Sequence, residues 1–147
     1  MVMMIETLSL GDARRMLMTA EAKAAQIGVP SNIAVVDAGG NLLAFARMDG
    51  AWLGSIDIAI DKAFTARAFD MTTEELGAMS QPKRMTFGIQ NTNHDRVVIF
   101  GGGVPVKVGE TVIGAIGSSG GTVDQDVEIV EAALAAFEEE RSRHAVI

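Results

Sequence analysis

The sequence predicts an α/β domain of the α+β kind, a five-stranded antiparallel sheet with helices packed on it, in the order α-β-β-α-α-β-β-β-α. Three observations carry this prediction. Apolar spacing or capping boxes mark four helical segments; strand-like runs cluster as a pair and then a triplet, parted by glycine-containing reversals; and no strand-helix-strand unit repeats, which disfavours a parallel Rossmann-type sheet. The chain has 147 residues, 48% of them hydrophobic and 21% charged, so one ordinary core burying roughly 68–70% of the extended-chain surface is expected. No linker, internal repeat or low-complexity tract divides it, and residues 1–147 are assigned to one domain with its core at about 8–140.

The first helix follows from Leu10, Ala13, Met16, Leu17, Ala20, Ala24 and Ile27, with Arg14, Arg15 and Lys23 between them. Ser9 can cap it, and Gly28 followed by Pro30 ends it. Two strands, Ile33–Val36 and Leu42–Ala46, flank a reversal containing Gly39, Gly40 and Asn41, a hairpin pattern. Helical spacing returns over Ser55–Phe69, with Ile56, Ile60, Ala63 and Phe64 on one stripe. Thr72 and Glu75 form a T-x-x-E capping box for a short helix ending near Met79, before Pro82. Ser80 to Asn93 shows no period and reads as a loop. Val97–Phe100, Val104–Val108 and Thr111–Ile116 then predict a three-strand meander, its second reversal a two-residue hairpin at Gly109-Glu110. Thr122 and Gln125 open a last helix with Val127, Val130, Leu134 and Phe137 on one face, and Arg141 to Ile147 are expected to fray.

Charge and composition narrow the function. A net charge of −7 and a pI of about 4.7 repel a phosphate backbone, and no basic run offsets them, so nucleic acid is not expected as a partner. With no cysteine, disulfides, thiolate metal sites and a cysteine nucleophile are excluded. The amino terminus lacks the basic segment and apolar run of an export signal, and the apolar stretches are strand-sized, so neither export nor a membrane span is expected and the cytoplasm is the expected location.

The two histidines, His94 and His144, lack partners at metal-ligand spacing, and no metal site is expected. His94 lies in a polar loop, where a surface position competes with ligand or proton-transfer work. The run Gly117-Ser118-Ser119-Gly120-Gly121 has no G-x-S-x-G elbow, and Gly101-Gly102-Gly103 lacks the G-K-[ST] of a phosphate loop. Ser118 and Ser119 therefore read as loop hydroxyls, and the triple glycine as a bend before a strand. Ser118 to Gly121 nonetheless enter a helix N-terminus, where a carboxylate or propionate can dock. Arg47 closes the first hairpin. Trp52, the only tryptophan, lines a pocket or interface or else packs on its own domain. Lys62 lies among Ile58, Ala59, Ala63 and Ala66, so its stem is packed; its amine binds an acidic ligand or snorkels to Asp57 or Asp61. Nine methionines and six phenylalanines can line a flat cofactor or simply fill a core.

Four motifs in order, R-M-D-G-A at Arg47–Ala51, K-A-F-T-A at Lys62–Ala66, G-G-G-V-P at Gly101–Pro105 and I-G-A-I-G-S-S-G-G at Ile113–Gly121, resemble the GlcG/HbpS haem-binding family. That family includes the C-terminal domain of PduO-type corrinoid adenosyltransferases. The resemblance spans about Leu8 to Phe137. It implies a profilin-like fold, homo-oligomers, and haem as a cofactor, with some members described as haem-degrading or as accessories to cobalamin-dependent diol and glycerol dehydratases and to glycolate metabolism. The adenosyltransferase activity belongs to the other PduO domain and is not carried over. A module that binds a tetrapyrrole or small acidic ligand is thus favoured over a self-sufficient enzyme, with a haem-degrading or other oxidative enzyme and a chaperone-like dehydratase partner as alternatives. The candidate ligand-binding residues are Arg47, Trp52, Lys62, His94, Gly101, Gly102, Gly103, Ser118, Ser119, Gly120 and Gly121; iron ligation falls to His94, a methionine or a hydroxyl.

Overall fold

The computed structural model describes residues 1–144, in the order α1 (Leu10–Gln26), β1 (Asn32–Asp37), β2 (Leu42–Arg47), α2 (Gly54–Phe69), α3 (Thr73–Met79), β3 (Gly103–Val108), β4 (Thr111–Ser119) and α4 (Val123–His144). A short 3₁₀ turn, Ile89–Asn91, interrupts the long loop before β3. The strands form one antiparallel sheet in the order β2-β1-β4-β3.

The caps behave as their sequences dictate. Ser9 Oγ accepts from the Asp12 amide at 3.1 Å, and Thr72 Oγ1 accepts from the Glu75 amide at 3.0 Å. Thr122 and Gln125 close a reciprocal box, each accepting the other's amide at 3.2 and 2.9 Å. Gly28 ends α1 at φ +73°, a conformation that favours glycine.

The sheet has four strands among the described residues, not the expected five. Val97–Phe100 is not a strand; it docks against two helices in place of a sheet neighbour. Thr65 Oγ1 of α2 accepts from the Val98 amide at 3.0 Å and donates towards the Arg96 carbonyl at 3.1 Å. Gly77 of α3 lies so close to the Ile99 carbonyl that a Cβ there would collide with it. The apolar run therefore reflects docking onto α2 and α3, which periodicity alone does not distinguish from strand pairing. Two further expectations are corrected. Ser118 and Ser119 end β4 instead of forming a loop, and α4 continues through Arg141 to His144; the expected fraying of residues 145–147 lies outside the described residues.

The elements form three layers. β1 is central and buried on both faces, which explains its continuous rather than alternating apolar run. Ile33 and Val35 pack with Met16 and Ala20 of α1 and with Ile129, Val130 and Phe137 of α4. On the opposite face Ala34 and Val36 meet Ala59, Ala63 and Ala66 of α2, together with Ala115 of β4. These small side chains let α2 lie against the sheet backbone. A Cβ at Gly103 would sit 2.5 Å from the Lys62 carbonyl oxygen, which brings the glycine triplet under the middle of α2.

Candidate functional site

The antiparallel register gathers four chain segments at one end of the sheet. Arg47 ends β2 opposite Asn32 at the start of β1, Asn32 faces Ser119 at the end of β4, and Gly103 starts β3 opposite Gly117. The Gly101–Gly103 and Ser118–Gly121 segments are thereby neighbours, joined by a 2.9 Å bond from the Ser118 amide to the Gly102 carbonyl.

Lys62 reaches into this junction. Its side chain is 0% exposed; Nζ donates to the Ser118 carbonyl at 2.9 Å and to Asp126 Oδ2 of α4 at 3.0 Å, and lies 5.1 Å from the Phe100 ring centroid. Asp126, also buried, accepts the Gly121 amide through Oδ1 at 3.1 Å. α2 and α4 lie on opposite faces of the sheet, so the pair is a staple passing around the sheet's end. Burial pushes the Lys62 ammonium below its usual range, opposed by the Asp126 charge. Burial likewise raises the Asp126 carboxyl, opposed by Lys62 and the Gly121 and Gly120 amides.

The glycines make room for this staple. A Cβ at Gly102, where φ is +122°, would lie 2.5 Å from Lys62 Nζ and 2.9 Å from the Ser118 carbonyl oxygen. At Gly120 it would lie 2.5 Å from the Pro30 carbonyl oxygen, and at Gly121 2.7 Å from Val29 Cγ1.

The predicted residues thus divide. Lys62, Gly101 to Gly103 and Ser118 to Gly121 converge, but around a carboxylate of the chain itself. Lys62 pairs with Asp126, not with Asp57 or Asp61 as the sequence suggested, and the Gly121 amide expected to receive a ligand's carboxylate holds Asp126. Arg47 and Trp52 lie at the same sheet end and are exposed, Trp52 at 66%. His94 stands apart, exposed at φ +59° in the loop anchored to α2 at Thr65. Asp126 escaped sequence reasoning, although a signal exists: it is the one acid on the buried α4 stripe of Ile129, Val130, Ala133 and Phe137, as Lys62 is the one cation on the α2 stripe of Ala59, Ala63 and Ala66. Asn32, fully buried with Nδ2 on the Trp52 carbonyl at 2.9 Å, was also missed; its Oδ1 and the Ser118 Oγ have no partner.

Around this junction Trp52, Leu53, Phe100 and Val123 are exposed apolar side chains. Separate clefts lie elsewhere, one of about 300 Å³ between α3, β3 and α4 and another of about 360 Å³ between α1 and α4. No group of three or more His, Asp or Glu among the described residues is placed to hold a metal ion. No helix among them is long and apolar enough to cross a membrane.

A family model described as "Haem degrading protein HbpS-like" matches residues 8–135. The chain belongs to the HbpS-like family. An uncharacterised 15.0 kDa protein of Citrobacter freundii, from the dhaT-dhaS intergenic region, is 47% identical over 135 residues, covering 92% of this chain and 95% of that protein. The crystal structure of Klebsiella pneumoniae ORFY matches with a TM-score of 0.91 and 42% identity, over 93% of this chain and 94% of ORFY. The third relative is PduO. The corrinoid adenosyltransferase PduO of Salmonella typhimurium is 37% identical over 130 residues, 88% of this chain but 39% of PduO, and the crystal structure of a PduOC:haem complex matches with a TM-score of 0.85 and 37% identity over 88% of this chain and 94% of PduOC. The matched residues include both glycine segments that bracket the Lys62–Asp126 staple.

Proposed function

We propose that the chain is a haem-binding module, acting as a homo-oligomer of single-domain subunits, and not a self-sufficient enzyme. The observation that carries this reading is the likeness to PduOC, which was crystallised with haem, over nearly its whole length. The structure fits a tetrapyrrole at the surface better than in an enclosed slot. The exposed Trp52, Leu53, Phe100 and Val123 offer apolar cover, while clefts near 300 Å³ sit at the lower limit of about 300–1,000 Å³ for small-molecule sites. One subunit would then cover one porphyrin face, and a second subunit the other.

Lys62 is committed to Asp126, so Arg47 is the cation left to meet a propionate, with no ion-pair partner among the described residues. His94 and exposed methionines such as Met18 of α1 and Met85 are accessible candidates to ligate iron. Ferric haem titrated into the apo-protein is expected to give a Soret band that saturates at one haem per subunit or per subunit pair and weakens in Arg47→Ala. A band that rises without saturating would refute the proposal; a saturating band indifferent to His94→Ala would move the ligand to a methionine.

A second reading, haem degradation, has the family description in its favour. It is tested by adding a reductant and oxygen to the haem complex and looking for bilin absorption as the Soret band decays. The relative's place between dhaT and dhaS supports a third role beside glycerol or diol metabolism, for which co-purification with a dehydratase is the test.

A further inference from the structure

The start of α2 carries polar groups that neither the fold nor the haem reading uses. Its N-cap is Leu53, which supplies no side-chain bond. The Ser55 amide turns back to the Trp52 carbonyl and the Ile56 amide to the Leu53 carbonyl, leaving the Leu53 and Gly54 amides without acceptors among the described residues. A 16-residue helix therefore ends in open donors and the positive end of its dipole.

Beneath that end runs a cross-strand row. Cα partners across an antiparallel ladder project to the same face, so Arg47, Asn32 and Ser119 stand side by side. They share the face of Ala34 and Val36, which is the face α2 covers. Asn32 brings its amide to the α2 start through the 2.9 Å bond to the Trp52 carbonyl, and its Oδ1 is a buried acceptor with no donor. Ser55, one turn before Ala59 on the buried stripe of α2, and Ser119 are 4% and 5% exposed, and neither hydroxyl bonds to a described side chain or backbone group. An acceptor buried without a donor is unfavourable, and a group carrying an O–H or N–H relieves it.

We infer that this is a binding site for a small carboxylate carrying a hydroxyl on the neighbouring carbon. The carboxylate meets the Arg47 guanidinium and the two open amides of α2, and the hydroxyl donates towards Asn32 Oδ1 between the Ser55 and Ser119 hydroxyls. A monoanion suits the charge available, one guanidinium and roughly half a charge from the helix. Asp57 in the first turn and a net charge of −7 disfavour a dianion such as a phosphate. The slight exposure of Ser55 and Ser119 restricts the entering group to a short chain. This site shares Arg47 with the haem reading but rests on the α2 amides and the Asn32 oxygen, which that reading does not use, so its test is run without haem.

Calorimetric titration of the haem-free protein with lactate, and with propionate as the same-sized acid lacking the hydroxyl, tests it. Lactate is expected to bind saturably and about tenfold or more tightly than propionate, with Arg47→Ala and Ser119→Ala each weakening lactate by about tenfold. Equal heats from the two acids, or lactate binding unchanged in Arg47→Ala, would overturn the assignment. Asn32→Ala, checked first by its melting curve, should erase the preference for lactate; if it does not fold, the wild-type discrimination and the Arg47→Ala result still decide.

Discussion

Removing one half of the Lys62–Asp126 pair should do more damage than removing both. Lys62→Met keeps an unbranched stem of similar length but takes away the ammonium, leaving the Asp126 carboxyl 3% exposed without its charge partner, held by backbone amides such as that of Gly121, and leaving the Ser118 carbonyl without its donor. Breaking a buried pair from one side costs about 3–5 kcal/mol, whereas replacing both charges by apolar groups of similar volume is often neutral or better. Lys62→Met is therefore expected to lose about 3–5 kcal/mol in urea unfolding, and Lys62→Met/Asp126→Leu to recover most of that loss. The sign of the pH dependence follows from the same burial. Because Asp126 is raised above the usual carboxylate value of 3.8, the native state binds its proton more tightly than the unfolded chain does. The stability this group contributes is present below pH 3.8 and lost as pH rises through the raised folded value. The stability of wild type minus that of Asp126→Asn should accordingly shrink as pH rises from about 4 towards neutrality. A difference that grows with pH would mean that the Lys62 charge outweighs desolvation, and additive single-variant losses would mean that the two residues do not form a coupled staple.

Gly102→Ala should destabilise by about 2 kcal/mol or more, because the new Cβ meets Lys62 Nζ and the Ser118 carbonyl at a φ of +122°. Gly109→Ala, at φ +61° but with open space around it, should cost about 1 kcal/mol in the same melts. Gly120→Val and Gly121→Val should each lower stability by more than about 1 kcal/mol, since their Cβ positions fall against the Pro30 carbonyl and Val29; unchanged melting temperatures in both would show that the loop relaxes freely.

Local chemistry was legible in the sequence wherever it was settled within a few residues. Ser9, Thr72 and Thr122 cap their helices as read, and the Gly109-Glu110 reversal joins β3 to β4 with Val108 opposite Thr111. Val97–Phe100 misled because apolar periodicity reports burial without saying what does the burying, and here the hydroxyl of Thr65 takes the place of a sheet neighbour. The Lys62 partner was misread for a related reason. Sequence proximity offered Asp57 and Asp61, both within the same helix, while the true partner is 64 positions away and becomes adjacent only when the two helical layers meet around the end of the sheet.

That misreading changes what the chemistry at this end of the molecule is for. A lysine beside glycine-rich loops suggests an anion site waiting for a ligand, yet the ligand-like carboxylate is already present as Asp126, bonded to both the ammonium and the Gly121 amide that would otherwise receive an acid. The glycines at 102 and 103 allow the chain to approach Lys62 closely. Binding capacity moves one step outward, to groups the staple leaves unsatisfied: Arg47, the amides at the start of α2, and the Asn32 oxygen. A buried charge pair that fixes α2 against the sheet end also fixes the position of those groups, so loss of Lys62 should weaken lactate binding even in a variant that remains folded, although Lys62 itself has no surface with which to touch the ligand. If Lys62→Met/Asp126→Leu is as stable as wild type and binds lactate equally well, the staple supports the fold alone and has no part in holding the site.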